Sequence, residues 1–152
     1  ISVDFYIIIF ILLSRNKFRN MKNKIFELYK PNSLEEFKIF FKDNPQETFV
    51  YVVQQPGPKI NILPASDYGY LVICLPHFEQ AIFSTAPYVH KMKKNLQDFR
   101  PQDYLLAVGD PVIIGISCIA INDATNGKFN VLKWERDQKR YYSLEFDIYM
   151  KG

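Results

Sequence analysis

One stretch decides the fold: residues 104–111, Tyr-Leu-Leu-Ala-Val-Gly-Asp-Pro. The apolar run Tyr104–Val108 predicts a strand, and the glycine that follows predicts the turn that ends it. Asp110 is typical of a helix N-cap and Pro111 of the first helical position, so a helix should begin here. We expect this helix to run to about Ala124 and to be deeply buried, because it is apolar on nearly every side.

The same strand–turn–helix pattern precedes this stretch. Gln80–Phe83 is interpreted as a short strand, and Ser84–Pro87 as the start of a helix with a hydroxyl cap. Downstream, Phe129–Glu135 predicts a strand, and Tyr141–Tyr149 alternates apolar and polar residues as a half-buried strand does. The order from residue 80 is therefore β-α-β-α-β-β. Right-handed crossovers would make the first three strands parallel and leave the last as an antiparallel edge strand.

The N-terminal half predicts further elements of the same sheet. Lys24–Tyr29 is interpreted as a strand, and a helix with an aromatic face should begin near Ser33. Thr48–Gln54 and Lys59–Leu63 flank a Pro-Gly-Pro sequence and predict a hairpin, whereas Tyr70–Leu75 predicts a buried strand. The fold class is α/β: a small mixed sheet with a βαβαβ Rossmann-like C-terminal half, an antiparallel edge strand and an N-terminal β-α-hairpin part.

The first twenty residues differ from the rest. Phe5–Leu13 is continuously apolar and basic residues follow it, but a membrane-spanning helix needs about 20 apolar residues. Three interpretations are open: translated upstream sequence ahead of a natural start at Met21, a truncated anchor, or a genuine buried segment. We predict that residues 1–20 are upstream sequence or an anchor and that 21–152 form a single α/β domain. A membrane partner is expected only if the segment is an anchor.

Composition sets limits on function without naming one. Hydrophobic residues make up 48% of the chain, which is ample for a core, and the net charge of +3 neither demands nor excludes nucleic acid. Cys74 and Cys118 each lie in an apolar run without metal-ligand spacing. We expect both thiols to be reduced and buried, which favours a cytoplasmic protein.

Three segments resemble short uncharacterised proteins of tailed bacteriophages. They are Phe83–Pro87, Tyr104–Pro111 and Val131–Arg136 with Arg140-Tyr141, so the resemblance covers roughly the C-terminal half. It implies a viral gene product in a bacterial host cytoplasm. It carries over no catalytic residue.

The strand-to-helix turns form the first candidate site. Helix N-termini that meet beyond the carboxyl ends of strands attract anions. Ser84, Thr85 and the backbone of Gly109 could hold a phosphate, and Asp110 could bind a ribose hydroxyl or hydrated Mg²⁺. The competing interpretation is that Thr85 and Asp110 are ordinary helix caps. The sequence contains no glycine-rich dinucleotide or P-loop motif.

Basic residues interleaved with aromatic ones form the second candidate site, for nucleic acid. Its members are Lys91, Lys93 and Lys94 on one helix, and Trp134, Arg136, Lys139 and Arg140 at the last hairpin. The competing interpretation is a solvated helix face and a charged turn.

No catalytic residue, metal ligand or cofactor is predicted, and an enzyme is unsupported by any nucleophile–base pattern. Three functions stay open at this point: a non-enzymatic binding or accessory module that contacts nucleic acid or a protein, a small nucleotide- or phosphate-ligand domain, and a structural component of a viral particle. The oligomeric state is left open.

Overall fold

A computed structural model describes residues 24–151. The predictions for residues 1–20 therefore lie outside the described residues. The elements follow the chain in the order β1 (Ile25–Glu27), α1 (Ser33–Asp43), β2 (Phe49–Gln54), a 3₁₀ helix (Leu63–Asp67), β3 (Tyr70–Leu75), α2 (Ala86–Asn95), β4 (Tyr104–Leu106), α3 (Pro111–Thr125), β5 (Lys128–Glu135) and β6 (Arg140–Asp147). None of the helices in this part of the chain is long and apolar enough to cross a membrane.

The six strands form one mixed sheet in the order β1-β3-β2-β4-β5-β6. Every neighbouring pair is parallel except β5 and β6, which are antiparallel. The predicted α/β class with an antiparallel edge strand is confirmed.

The direction of each crossover explains where the helices lie. Three connections move across the sheet one way, from β1 to β2, β3 to β4 and β4 to β5, and each contains a helix. The connection from β2 back to β3 moves the other way, so a right-handed crossover places it on the opposite face. Accordingly, Phe37, Met92 and Ile113 of the three helices share one core, and Ile62 and Ala65 of the returning segment belong to the other.

The predicted N-terminal hairpin is wrong. Lys59–Leu63 forms no strand, and β2 pairs in parallel with β3 on one side and β4 on the other. Because both edges of β2 are occupied, no adjacent segment can pair with it. Ile62 and Ala65 instead pack against the face of the sheet opposite the three α-helices.

The predicted strand Gln80–Phe83 is also wrong. These residues form an irregular segment, and the Phe83 side chain is 99% exposed. The strand that leads into α2 is β3, which is buried along its whole length. The β-α-β-α-β-β order therefore starts at Tyr70.

Helix α3 is less buried than its composition predicts. Its buried residues form one stripe, Ile113, Ser117, Ala120, Ile121 and Thr125. On the other side, Ile119 is 65% exposed. Three helices on one face leave α3 at the outer side of the layer, next to α2. A helix that is apolar all round is therefore buried here along one stripe only.

Candidate functional site

The carboxyl ends of β2 and β4 form a topological switch point. These strands are neighbours, but the chain leaves β2 toward β3 and leaves β4 toward β5. Their connections diverge and open a crevice, which is where open α/β sheets bind ligands. A cavity of about 390 Å³ lies there, lined by Gln54, Gln55, His77, Glu79 and Asp110 among others. We call it the switch-point cavity.

The Gln54 side chain joins the segments that line this cavity through three hydrogen bonds. Its buried side chain donates from Nε2 to the carbonyl oxygens of Pro76 (3.1 Å) and Glu79 (2.7 Å). Its Oε1 accepts the Asp110 N–H at 2.9 Å. One side chain at the end of β2 therefore fixes the loops that follow β3 and β4. Gly109 is required beside it, because a Cβ there would lie 2.5 Å from Gln54 Oε1 and the backbone is left-handed with φ +132°.

Two buried acceptor atoms, on residues that line the switch-point cavity, make no hydrogen bond within residues 24–151. They are Gln55 Oε1 and Glu79 Oε2, and Lys91 Nζ lies 3.7 Å from the latter. Phe78 lies beside them with φ +71°, a left-handed conformation that bulky residues rarely adopt. Buried acceptors of this kind are costly unless a donor meets them.

The structure separates the four candidate residues of the first site. Gly109 and Asp110 line the switch-point cavity, and the Asp110 carboxylate accepts the N–H groups of Val112 (2.8 Å) and Ile113 (3.3 Å). The predicted N-cap at Asp110 is thus confirmed. Ser84 and Thr85 are exposed and lie outside the lining of that cavity.

The predicted hydroxyl cap of α2 is wrong for Thr85, whose side chain makes no capping bond. The Ala86 N–H instead points to Ser84 Oγ at 3.4 Å. Ligand binding by these four residues stays a prediction.

A second cavity, of about 620 Å³, adjoins the first. It opens because β5 continues past the end of β4: Leu106 pairs with Leu132, and residues 133–135 have no partner on that side. Its lining includes Trp134 and Tyr141, and both of its charged lining residues are lysines, Lys59 and Lys133. We call it the aromatic cleft. Ile60 and Val108 line both cavities, so the two share a wall.

The aromatic wall of the cleft is held in place by neighbouring groups. Trp134 is 40% exposed and packs edge-on against Tyr141, with ring centroids 4.9 Å apart. The Tyr141 hydroxyl donates to the Asn61 carbonyl at 3.0 Å, and the Tyr68 hydroxyl donates to the Tyr141 carbonyl at 2.8 Å. Burial raises the pKa of Tyr141, so its hydroxyl stays a donor. The cleft therefore offers a preformed aromatic surface.

Positive charge surrounds the cleft. Arg136, Lys139 and Arg140 lie on and beside the β5–β6 turn, which Glu135 closes by accepting the Asp137 and Gln138 N–H groups. Within residues 24–151, none of these three cations, nor Lys59 or Lys133, has a carboxylate within 4 Å. The charge is therefore free to meet an anion.

The lysines of α2 belong to a different surface. Lys91 lies near Glu79 and over the Tyr88 ring, and Lys91 and Lys94 line a third cavity beside β1 and β3. Lys93 and Lys94 fall in the last turn of α2, where positive charge is favoured by the helix dipole. Two strands separate β3 from β5, which is about 14 Å at the usual strand spacing. The predicted basic residues are therefore two groups, not one patch.

The amino edge of the sheet holds the one fully buried carboxylate of the described residues. Asp103 accepts the Phe49 N–H at 3.0 Å, and also the Arg100 N–H and guanidinium. Burial raises the pKa of Asp103, and the bonds to Arg100 oppose that rise. Arg100 in turn donates to the carbonyls of Pro45 and Glu47. The group closes the amino edge of the sheet.

The cysteines differ in exposure. Cys74 is fully buried in β3, and burial raises the pKa of its thiol to about 12. Cys118 on α3 is only half-buried, so the prediction that both are buried is wrong for Cys118. Both are free thiols.

Sequence patterns missed several residues that line the switch-point cavity and the aromatic cleft. Lys59 falls in the strand predicted for the hairpin, and Gln54 is predicted only as the last residue of the strand Thr48–Gln54. Lys133 precedes Trp134 in the chain, and that adjacency alone could have added it to the basic residues of the last hairpin. Gln54, Gln55 and Glu79 gave no signal, since their meeting depends on which strands are neighbours.

These features define a small α/β domain with a topological switch point and an aromatic cleft at one edge of its sheet. The family described as Phage Pam3 gp32-like protein matches residues 48–148, from just before β2 to just after β6. The chain belongs to this family, and the resemblance to phage proteins is confirmed. Comparisons with curated proteins and with solved structures found no match.

Proposed function

We propose that this phage-family protein is a non-enzymatic binding module whose aromatic cleft holds a segment of single-stranded nucleic acid. One observation carries the proposal: an exposed tryptophan lies in a concave cavity whose charged lining and neighbouring turn supply unpaired cations. No chemical step is part of it.

The dimensions of the cleft suit an unstacked base. Small-ligand cavities measure roughly 300–1,000 Å³, and this one measures about 620 Å³. A base on the face of Trp134 would gain about 1–3 kcal/mol from stacking. Lys59 and Lys133 lie where the adjoining phosphates would pass, and Arg136, Lys139 and Arg140 extend the path. In a duplex, both faces of a base are covered by its stacked neighbours. The recessed ring of Trp134 therefore favours an unstacked base of a single strand.

Trp134 makes the proposal directly measurable. It is the one tryptophan of the sequence, so intrinsic fluorescence reports on the cleft alone. Titrating the full chain with a short oligothymidylate should quench this emission at low salt. Trp134→Leu should weaken binding about tenfold, measured by anisotropy of a labelled oligonucleotide. Lys139→Ala with Arg140→Ala should also lower the salt slope by about 0.7 per lost phosphate contact.

The α2 lysines supply the matched control. Lys93→Ala with Lys94→Ala removes the same charge from the separate surface. It should leave quenching and the salt slope close to those of the parent. Absence of quenching by any single-stranded oligonucleotide at low salt would reject the proposal. Equal weakening by the two double variants would show attraction to net charge only.

A second candidate function is favoured by the unpartnered acceptors of the switch-point cavity. Gln55 Oε1, Glu79 Oε2 and the Asp110 carboxylate offer acceptors, and the Asp110 side chain takes the first N–H groups of α3. This chemistry suits a ligand rich in hydroxyl donors, such as the ribose of a nucleoside, better than a phosphate.

Thermal shifts with nucleosides and nucleoside monophosphates would test this second candidate. The nucleoside should stabilise the parent, and Glu79→Gln should reduce the shift. Lys128→Ala, an exposed change on β5, is the control. Stabilisation by inorganic phosphate alone would contradict it.

A further inference from the structure

The two outermost strands of the sheet, β1 and β6, differ in how well they are protected from pairing with another chain. Strand β1 is three residues long, and short edge strands pair poorly with other chains. Strand β6 has eight residues, pairs with β5 throughout, and has no neighbour on its other side among the described residues. A long open edge of this kind is a template for another strand.

The open edge carries apolar side chains on its helix-side face. Tyr142, Leu144 and Phe146 are opposite Lys133, Val131 and Phe129, and the Phe129 and Phe146 rings stack at 5.3 Å. Leu144 and Phe146 are nevertheless 41% and 40% exposed. Burying them against a partner strand would remove apolar surface from water.

The direction of the free backbone groups follows from one bond. The Ile148 N–H donates to the Gly127 carbonyl, which continues the β5–β6 ladder by one pair. Alternate residues of a regular antiparallel strand face opposite edges, so even-numbered residues bond to β5. Tyr141, Ser143, Glu145 and Asp147 therefore present their N–H and C=O groups outward.

Charge along β6 selects the partner. The strand begins at Arg140, directly after Lys139 of the turn, and its other end carries Glu145 and Asp147. Glu145 also lies 3.6 Å from Lys128. Antiparallel pairing of two copies brings the basic end of each strand beside the acidic end of the other, whereas parallel pairing brings like charges together. We propose that β6 pairs antiparallel with β6 of a second copy and joins two sheets across a two-fold axis.

Side-chain chemistry also selects the register. With Leu144 on the axis, Leu144 meets its own copy, Tyr142 meets Phe146, and the Ser143 hydroxyl meets the Glu145 carboxylate. A shift that places Glu145 on the axis sets two carboxylates opposite each other, which is destabilising. The dimer goes beyond the proposed function and does not depend on it.

The test reads oligomeric state without nucleic acid, because Leu144 and Phe146 also line the aromatic cleft. Sedimentation velocity of the full chain over about a hundred-fold range of concentration should show a monomer–dimer equilibrium. Leu144→Lys and Leu144→Glu should each be monomeric, since each sets like charges on the axis. Mixing the two should restore a dimer, because the axis then carries an opposite-charge pair.

Ile39→Lys is the control, an equally drastic change on an exposed side of α1. It should dimerise like the parent. Circular dichroism of each Leu144 variant checks folding, and recovery of the dimer on mixing shows that both chains are competent. A parent that stays monomeric at every concentration would overturn the proposal. So would Leu144 variants that still dimerise alone, or a mixture that does not.

Discussion

The amino edge of the sheet, where the parallel strands begin, and the carboxyl edge, where they end, differ in how their buried polar groups are hydrogen-bonded. At the amino edge, the buried Asp103 carboxylate is met by backbone N–H groups and by Arg100, which also binds two loop carbonyls. At the carboxyl edge, Gln55 Oε1 and Glu79 Oε2 are buried and make no hydrogen bond among the described residues, and Lys91 Nζ lies 3.7 Å from Glu79 Oε2. Phe78 lies beside them, 84% exposed and with a left-handed backbone. One edge is closed by its own chain and the other is left open.

This difference follows from the direction of the strands. In a parallel sheet every strand-to-helix turn falls at the carboxyl edge, where diverging connections leave a crevice. Polar groups left unsatisfied there lower stability, and such losses concentrate at functional sites. Changes at the amino edge should therefore affect stability alone, whereas changes at the carboxyl edge should affect binding as well as stability.

The largest effect should come from Asp103→Ala. It leaves the Arg100 guanidinium, mostly buried, without its carboxylate, and breaking a buried ion pair costs about 3 kcal/mol. Urea denaturation should show this loss, while oligonucleotide binding per folded molecule should stay at the parental level. A loss of binding equal to that of Trp134→Leu would break the distinction between the edges.

Asp103→Asn sharpens this test through pH. Burial raises the pKa of Asp103 above its ordinary value of 3.8, so the folded state holds this proton more tightly than the unfolded state. The carboxyl therefore contributes stability that is present at low pH and is lost as the pH rises through its folded pKa. Going from about pH 7 to about pH 4, the parent should gain stability relative to Asp103→Asn. A constant difference would contradict the raised pKa.

A smaller loss is expected from Gln54→Leu at the carboxyl edge. The change leaves the Pro76 and Glu79 carbonyls and the Asp110 N–H without partners, which should cost about 2 kcal/mol. Because two loops depend on this side chain, the change should also weaken binding of the second candidate ligand. Gln55→Leu is the control for stability alone, since its Oε1 makes no hydrogen bond within the described residues but is one of the proposed ligand acceptors. Equal losses from the two variants would remove the special role of Gln54.

How much of this was predictable depends on how local each signal is. Asp110 and Pro111 mark the start of α3 within a few residues, and the alternation around Leu144 marks β6, so both were predicted correctly. The neighbours of β2 are set by distant strands, so the segment around Lys59 was wrongly paired. For the same reason Trp134 was found as an aromatic residue among basic ones, while its cavity was not.

An intermediate effect should follow from Asp110→Ala. Loss of an N-cap costs about 1 kcal/mol, and here two N–H groups lose their acceptor. Asp110→Asn keeps an acceptor and should cost much less. A thermal melt measures both changes, and a nucleoside titration of Asp110→Asn shows whether the charge also serves a ligand. An Asp110→Ala variant as stable as the parent would show that the cap contributes nothing.

The smallest effect should come from Phe78→Gly, and its sign should be opposite. Holding a non-glycine residue in a left-handed conformation costs about 1–2 kcal/mol. Glycine relieves that strain but loses more entropy on folding, by about 0.5–1 kcal/mol. The Phe78 side chain is largely exposed, so little packing is lost beyond its contact with the His77 ring. The net change should be a gain of about 0.5 kcal/mol in the free energy of unfolding. Phe83→Gly, an exposed phenylalanine outside the positive-φ residues, should give no such gain in a thermal melt. If Phe78→Gly is destabilising while nucleoside binding is unchanged, the carboxyl edge stores no strain at this position. If it is stabilising and nucleoside binding falls, the strained conformation of Phe78 contributes to the ligand site at the carboxyl edge.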